Sequence, residues 1–265
     1  MIYDAFRRNY VILPGREQSL EEFLRQDFGE LKGHKWRNRS NSNSEDALTW
    51  SCFQLISSLP LGKKLRVLGE IWEDAYYNRL PFPIDMNKLN DNQIKICIGK
   101  RYQGSTTKEL TEVDASIELP GILIFIEAKL YSPLSLPEIP RKPYDQIARK
   151  IRIGLDDPKG DGGGPIFDGP YDFYFIFLDI APLDKLNQRK SKKEASEQSK
   201  GFNDKWKSAW WFDYYKNGRN GSLRPLKSVL EGITEKRVDQ IAKNMGWLTW
   251  TDLFKDLLRG LIKEE

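Results

Sequence analysis

The stretch from Glu112 to Lys129 constrains the fold more than any other part of the chain. Its first half, EVDASIEL, alternates polar and apolar residues, which is the pattern of a half-buried strand. Pro120-Gly121 follows, and then the apolar run ILIFI, which has the length and composition of a buried strand. The stretch therefore predicts an antiparallel hairpin with Pro120-Gly121 at its tip.

The turn also predicts which residues of the hairpin face each other. If Leu119 faces Ile122, every pair on that face of the hairpin is apolar, and Asp114 meets Glu127 on the other face. Directly opposed residues have Cβ atoms only ~4.5–5.5 Å apart, and like charges placed there destabilise a sheet. The pattern therefore predicts a cation between Asp114 and Glu127.

An Asp, a spacer and then Glu-x-Lys at the end of an apolar strand resembles the PD-(D/E)XK nuclease superfamily. Asp114 and Glu127-Ala-Lys129 carry the resemblance, which extends over roughly residues 45–180. Val113 stands where many members have Pro, a variation that the superfamily tolerates. The resemblance implies an α/β, restriction-endonuclease-like core, in which helices flank a mixed central sheet. It implies a magnesium-dependent endonuclease that hydrolyses phosphodiester bonds of DNA in microbial defence, restriction or repair.

The resemblance also implies roles for the residues of the motif. Asp114 and Glu127 would ligate Mg²⁺ or Mn²⁺, and the Ala128 carbonyl would be a further oxygen ligand. Lys129 would orient the attacking water or stabilise the transition state, because it projects from the same face of the strand as Glu127. The alternative for Lys129 is a cross-strand ion pair with Glu112.

Two helical residues complete the predicted site. Glu45, in the first turn of a helix, is expected to be a further catalytic residue and metal ligand, although an acid there also stabilises the helix dipole. Asp46, Glu70 and Glu73 are its alternatives. Gln146, on the helix after the Glu-x-Lys strand, resembles a glutamine that some superfamily nucleases aim at the site, and its alternative is a solvent-exposed position.

Composition limits the kinds of metal and the environment that we expect. The 265 residues include one histidine, His34, and two cysteines, Cys52 and Cys97, so a zinc or iron site rich in these residues is excluded. Both cysteines are predicted to be free thiols. No apolar run approaches the ~20 residues of a membrane span, and no signal-peptide pattern precedes the first helix. We therefore expect a cytoplasmic protein without a membrane partner.

The charge pattern is compatible with a nucleic-acid partner but does not require one. The net charge is only +4. Basic residues cluster at 37–39, 63–66, 100–101 and 189–193, and each cluster is either a solvated surface or a phosphate contact. The same two interpretations hold for Arg149 and Lys150 on the predicted helix after the hairpin. DNA is the expected partner, with a partner protein or a second copy of the chain as further expectations.

Periodicity and turn signals divide the chain into a core and a C-terminal element. We expect a nuclease core with N-terminal helices over 1–184, a polar mobile excursion over 185–205, and a mainly helical element over 206–265 packed on the core. The predicted helices are 16–32, closed near Gly29, 45–56 with Ser44 as N-cap, 65–80, 144–153 and several over 224–262. The predicted strands are 94–98, the two strands of the hairpin, and 173–178.

Two other functions remain open on these residues. The chain could be a latent or non-catalytic nucleic-acid-binding subunit of a larger defence complex, since the polar excursion could serve a partner. It could also be a nuclease that acts on RNA, because the chemistry of the predicted site does not distinguish RNA from DNA.

Overall fold

The computed structural model describes residues 10–26, 33–40, 44–76, 80–130, 146–160, 167, 170–179, 237, 241 and 244–262. Its helices are α1 (Glu17–Leu24), α2 (His34–Asn38), α3 (Glu45–Ser58), α4 (Leu61–Tyr76), α5 (Gln146–Leu155) and α6 (Trp250–Ile262). Its strands are β1 (Lys95–Gln103), β2 (Leu110–Leu119), β3 (Ile122–Ala128), β4 (Lys159–Gly160), β5 (Asp172–Asp179) and β6 (Met245–Thr249). The excursion predicted over 185–205 and the segment 206–236 lie outside the described residues.

The strands form one mixed sheet in the order β4-β1-β2-β3-β5-β6. β1, β2 and β3 are a consecutive antiparallel meander, and β4 adds two residues to its edge. β5 lies parallel to β3, and β6 lies parallel to β5. The prediction of an α/β fold with a mixed sheet flanked by helices is confirmed at this level.

The predicted hairpin is confirmed, including its register. Leu119 pairs with Ile122 and Ala115 pairs with Ile126, so the turn contains only Pro120 and Gly121. Gly121 has a φ of 72°, which glycine adopts without the steric cost that other residues have. The same register continued by one residue sets Asp114 opposite Glu127.

The two faces of the sheet bury different side chains. One face carries the alternating apolar residues of β2, β3 and β5, which pack in a single core with α3, α4 and α6. The other face carries Phe125 and Phe173 and lies against α5. The predicted inward residues of α5, Ile147 and Ile151, are both buried. β3 therefore has a neighbouring strand on each side and helices on both faces.

Several predicted boundaries are corrected by the structure. α3 is confirmed, since its N-cap Ser44 accepts the Ala47 N–H at 3.2 Å. α1 ends at Leu24, short of the predicted end near residue 29, and α4 begins at Leu61, earlier than residue 65. β1 continues to Gln103, beyond the predicted end at residue 98, because β2 supplies paired residues along that whole length.

The prediction of helix over residues 245–249 is wrong, because this segment is strand β6. The edge of β5 is apolar and needs a neighbour, and β6 satisfies its backbone groups. The helix begins only at Trp250. Thr249 and Asp252 cap it reciprocally: the Asp252 carboxylate accepts the Thr249 N–H at 3.2 Å, and the Thr249 hydroxyl accepts the Asp252 N–H at 3.1 Å. The predicted C-terminal helix is thus confirmed from Trp250 onward.

Two predictions from composition can be compared with the described residues. Cys52 is buried, Cys97 is half-buried, and both are free thiols as predicted. Within the described ranges, no helix combines the length and apolar character that crossing a membrane requires.

Candidate active site

Glu127 lies at the centre of the candidate site and is entirely buried. It is the penultimate residue of β3, and its side chain is 0% exposed. It projects from the α5 face of the sheet, like Phe125 two residues earlier. An ionised carboxylate in such a position is costly unless cations and hydrogen-bond donors surround it. The groups around Glu127 therefore determine what the site can do.

Lys150 supplies the nearest cation. Its ammonium contacts Glu127 Oε2 and lies 3.5 Å from Asp114 Oδ1, so it is shared between the two opposed carboxylates. Lys150 is only 2% exposed, so the prediction of a solvated or phosphate-contacting side chain is wrong. The predicted need for a cation between Asp114 and Glu127 is met, in this structure, by a side chain that the sequence analysis did not assign to the site.

A signal for Lys150 was present in the sequence. It lies between Ile147 and Ile151, which form the apolar stripe of α5. Lys150 comes three residues after Ile147 and directly before Ile151. A lysine in this position lies on the buried face of an amphipathic helix. Burial of a lysine requires a carboxylate partner, and that requirement points to the facing strands.

Lys129 is held between two carboxylates. Its Nζ lies 2.9 Å from Glu45 Oε1 and 3.2 Å from Glu127 Oε1. The expected alternative, an ion pair of Lys129 with Glu112, is not present, because Glu112 pairs with Lys35 of α2. The predicted projection of Lys129 and Glu127 from one face is confirmed.

Glu45 reaches the end of β3 from the first turn of α3. One of its oxygens accepts from Lys129, and the other accepts the Leu130 N–H at 2.9 Å. The backbone of Lys129 is fixed in addition by Trp250 of α6, whose indole N–H donates to the Lys129 carbonyl at 3.0 Å. Three separate elements therefore position Lys129, and Glu45 contacts the site through it.

The alternatives to Glu45 lie in different places. Asp46 is half-buried, and burial raises its pKa to about 6. The positive charge of Lys35 lowers this pKa, and the negative charge of Asp114 raises it. Asp46 is thus close to the site. On α4, Glu70 lies 3.7 Å from Arg259 of α6, and Glu73 is exposed, so neither replaces Glu45.

Asp114 is fixed by the backbone of the strand that it faces. Its Oδ2 accepts the Ala128 N–H at 2.8 Å, which leaves Oδ1 directed at Lys150. Ala128 thus joins the site through its N–H, while its methyl group is buried in the core on the opposite face.

On the other side of β2, Gly99 lies opposite Asp114, because its neighbours in β1 pair with the residues flanking Asp114. Gly99 has a φ of 64°, and a Cβ there would come within 2.5 Å of Lys35 Nζ. Glycine therefore makes room for Lys35 beside the site.

Gln146 is the first residue of α5 and is half-buried. It lies four residues before Lys150, so both side chains are on the same face of the helix. Gln146 therefore lies on the side of α5 that faces Glu127. The prediction that Gln146 acts at the site is compatible with its position.

The oxygen atoms of the site are suited to a hard divalent cation. Glu127 Oε1 is buried and receives no hydrogen bond, since Lys129 Nζ lies 3.2 Å away at an unfavourable angle. As the side chains are placed, no three acidic, histidine or cysteine residues in the described ranges form a metal-binding group. Mg²⁺ needs only one or two protein carboxylates, because it retains several waters. Asp114 and Glu127 fit such an ion if Lys150 withdraws.

Comparisons with protein-family models, curated proteins and solved structures find no significant match to this chain. The chemistry of the site must therefore be argued from its own residues.

Proposed function

We propose that this chain is a metal-dependent nuclease that hydrolyses phosphodiester bonds of DNA, with a restriction-endonuclease-like core, in microbial defence, restriction or repair. One observation carries the proposal. The fully buried Glu127 carboxylate ends the central strand, with Asp114 beside it and Lys129 held at 3.2 Å. A chain that needed only stability at this position would gain more from an apolar residue than from a buried cluster of charges.

The proposed roles follow from the positions of these groups. Asp114 and Glu127 would hold Mg²⁺ or Mn²⁺, with the Ala128 carbonyl and Glu45 as further candidate oxygen ligands. The bound ion would stabilise charge on the phosphate oxygens and make a water molecule more acidic. The Lys129 ammonium, held by Glu45 and Glu127, would orient the attacking water or stabilise charge that develops at the phosphate. Gln146 would help to position the substrate from α5.

The order of elements supports the same proposal. A helix, a three-stranded antiparallel meander, a second helix and a strand occur in the order α3, β1–β3, α5 and β5, with α4 between α3 and β1 and the short β4 between α5 and β5. This is the order expected from the superfamily resemblance.

Two arginines that contact Trp36 of α2 support a nucleic-acid substrate. Arg25 and Arg39 stack on the ring of Trp36, with their guanidinium carbons 5.1 and 4.2 Å from the ring centroid. The neighbouring Lys35 pairs with Glu112, two residues before Asp114 on β2. Arginine side chains attract a phosphate backbone, and guanidinium planes can stack on bases.

The test is a cleavage assay on plasmid, linear duplex, single-stranded DNA and RNA, with Mg²⁺, Mn²⁺ or EDTA. The variants are Asp114→Asn, Glu127→Gln and Lys129→Met, and the control is Glu73→Gln on the exposed side of α4. We expect metal-dependent cleavage of DNA by the wild type and the control, and a loss of roughly 100-fold or more in the three site variants. Equal cleavage by all five proteins would contradict the assignment of the site.

A second function is favoured by one specific contact. Lys150 already pairs with both Asp114 and Glu127, and Lys129 lies against Glu127, so two ammonium groups balance these two carboxylates without a metal ion. This contact favours a non-catalytic nucleic-acid-binding subunit that has the same fold. In that case the wild type would bind DNA or RNA in EDTA as tightly as in Mg²⁺ and would cleave neither. RNA cleavage in the same assay would identify an RNA-directed nuclease instead.

A further inference from the structure

The contact of Lys150 with two carboxylates has a consequence for metal binding. Glu127 and Lys150 are both almost fully buried, and the Lys150 ammonium lies within ion-pair distance of both Glu127 and Asp114. These are the carboxylates that would hold the divalent ion. An ammonium and a divalent cation repel each other strongly at such short range, so both cannot be held by the same oxygens.

We infer that Lys150 is an internal counter-cation that occupies the metal position in the metal-free chain and is displaced when the metal binds. The inference rests on the proposed function, because it concerns the metal of the same site. Lysine is suited to this exchange, since its ammonium is a single point charge on a flexible four-carbon stem. The role belongs to Lys150 alone among the described lysines of the site, because Lys129 contacts Glu127 through the other oxygen and is also held by Glu45.

The exchange predicts that removal of Lys150 has two opposite effects, a loss of stability without metal and a gain in affinity for the metal ion. Without metal, Lys150 offsets the repulsion between Asp114 and Glu127, so its removal should destabilise the chain. With metal, the same removal deletes the competitor for the carboxylates, so the ion should bind more tightly. A lysine with a merely structural role would produce the first effect without the second.

The experiment compares Lys150→Met and Lys150→Gln with the control Lys64→Met. Lys64 is also buried, at 4% exposed, and its Nζ lies 2.5 Å from Asp91 Oδ1, in a pair that the proposed metal site does not include. Each protein is unfolded thermally in EDTA and in increasing Mn²⁺, and Mn²⁺ binding is measured by calorimetry. Neither readout depends on activity.

We expect both Lys150 variants to have a lower Tm than the wild type in EDTA and a larger rise in Tm with Mn²⁺. Their Mn²⁺ affinity should be roughly tenfold or more tighter, the size of effect that groups around metal ligands commonly have. Lys64→Met should have a lower Tm in EDTA and the same Mn²⁺ affinity as the wild type. If a Lys150 variant is unfolded in EDTA, its recovery by Mn²⁺ but not by NaCl of equal ionic strength supports the exchange.

The outcomes separate this inference from the proposed function. Equal Mn²⁺ affinity in the wild type and the Lys150 variants, or a Lys150 variant that neither salt refolds, would overturn the exchange and leave the nuclease proposal intact. An absence of Mn²⁺ binding by every protein would contradict the metal site itself. Tighter binding in the Lys150 variants, together with no cleavage by the wild type, would support the exchange and contradict the nuclease.

Discussion

The molecule buries acidic side chains in two places and neutralises them differently. At the end of β3, Glu127 is 0% exposed and lies against the ammonium groups of Lys129 and Lys150. Between α4 and α6, Asp256 is also 0% exposed, but its nearest cation is Arg259 at 3.6 Å, and its other neighbour is the carboxyl group of Asp74. Glu127 and Asp256 are equally buried, but the groups that lie against their carboxyl oxygens differ.

The surroundings of the second cluster favour a protonated carboxyl group, whereas the first cluster holds ammonium groups. Burial raises the pKa of Asp256 well above its usual range, and the neighbouring charge of Asp74 raises it further. A carboxyl group in this state is neutral, so it needs no cation. A carboxylate that faces lysines stays charged and can exchange one cation for another. Of these two clusters, the first is therefore the one that suits the proposed metal ion, and the second is a packing contact that depends on pH.

The largest expected effect is the loss of Lys150 from the first cluster, compared with the loss of an exposed lysine elsewhere. Lys150→Met should lower the free energy of unfolding by about 3–5 kcal/mol in EDTA near neutral pH, because it leaves buried carboxylates without their partner. Urea unfolding followed by circular dichroism measures this value. Lys88→Met, which removes an exposed ion pair with Asp85, should change it by less than about 0.5 kcal/mol. A loss below about 1 kcal/mol in Lys150→Met would mean that Lys129 alone balances the cluster.

The helices that carry the two clusters can be disturbed separately. A Cβ at Gly154 of α5 would lie 2.1 Å from the Phe173 ring, and one at Gly260 of α6 would lie 2.2 Å from Val67. Each Gly→Ala substitution should therefore cost about 1–3 kcal/mol through overpacking. Gly154→Ala should also alter Mn²⁺ affinity, because it shifts the helix that carries Lys150, whereas Gly260→Ala should not. Unfolding and calorimetry on both variants test this, and equal Mn²⁺ affinities would mean that α5 accommodates the methyl group without moving Lys150.

Part of the dependence of stability on pH should come from the Asp256 cluster. The pKa of Asp256 is higher in the folded than in the unfolded chain, so the folded chain binds more protons, and stability falls as pH rises from the usual carboxyl range towards the folded pKa. The slope is at most about 1.4 kcal/mol per pH unit for one group. Asp256→Asn should flatten it, so that the variant gains stability over the wild type with rising pH. Parallel slopes between about pH 5 and pH 8 in urea unfolding would show that Asp256 is ionised in the folded chain.

The smallest expected effect is that of the half-exposed Arg259. Its guanidinium lies 3.6–3.7 Å from Glu70, Asp74 and Asp256 and lowers the pKa of Asp256. Arg259→Gln should change the free energy of unfolding by less than about 1 kcal/mol near neutral pH, because solvent screens the pairs. It should also extend the fall in stability to higher pH. A pH profile identical to that of the wild type would mean that burial and Asp74 alone set the protonation of Asp256.

The hairpin shows how far sequence reasoning reaches. Alternation over 112–119 and the Pro120-Gly121 turn were enough to predict the pairs Leu119–Ile122 and Ala115–Ile126, which the structure contains. These signals are local, since a turn and its two strands are contiguous in the chain. Glu45 lies beside the Glu127 cluster, where it contacts Lys129 and Leu130, and its role at the site stays a prediction.

Lys150 and β6 show where that reasoning ended. The partners of Lys150 are 23 and 36 residues earlier in the chain, so its burial depends on how α5 packs on the sheet. Residues 245–249 were assigned to a helix, and their strand conformation depends on the free edge of β5. Tertiary contacts determine both the burial of Lys150 and the strand conformation of residues 245–249, because such contacts override local propensity in short segments.

The sequence by itself determined the meander, its register and the convergence of Asp114, Glu127 and Lys129 at the end of one buried strand. Those features follow from side-chain alternation and one turn, and both act between neighbours in the chain. Only the tertiary structure decided which groups face each buried acid: lysine from α5 at Glu127, and Arg259 and the carboxyl group of Asp74 at Asp256. The reason is that the free energy of a buried charge depends on the groups that surround it in space, wherever they lie in the chain.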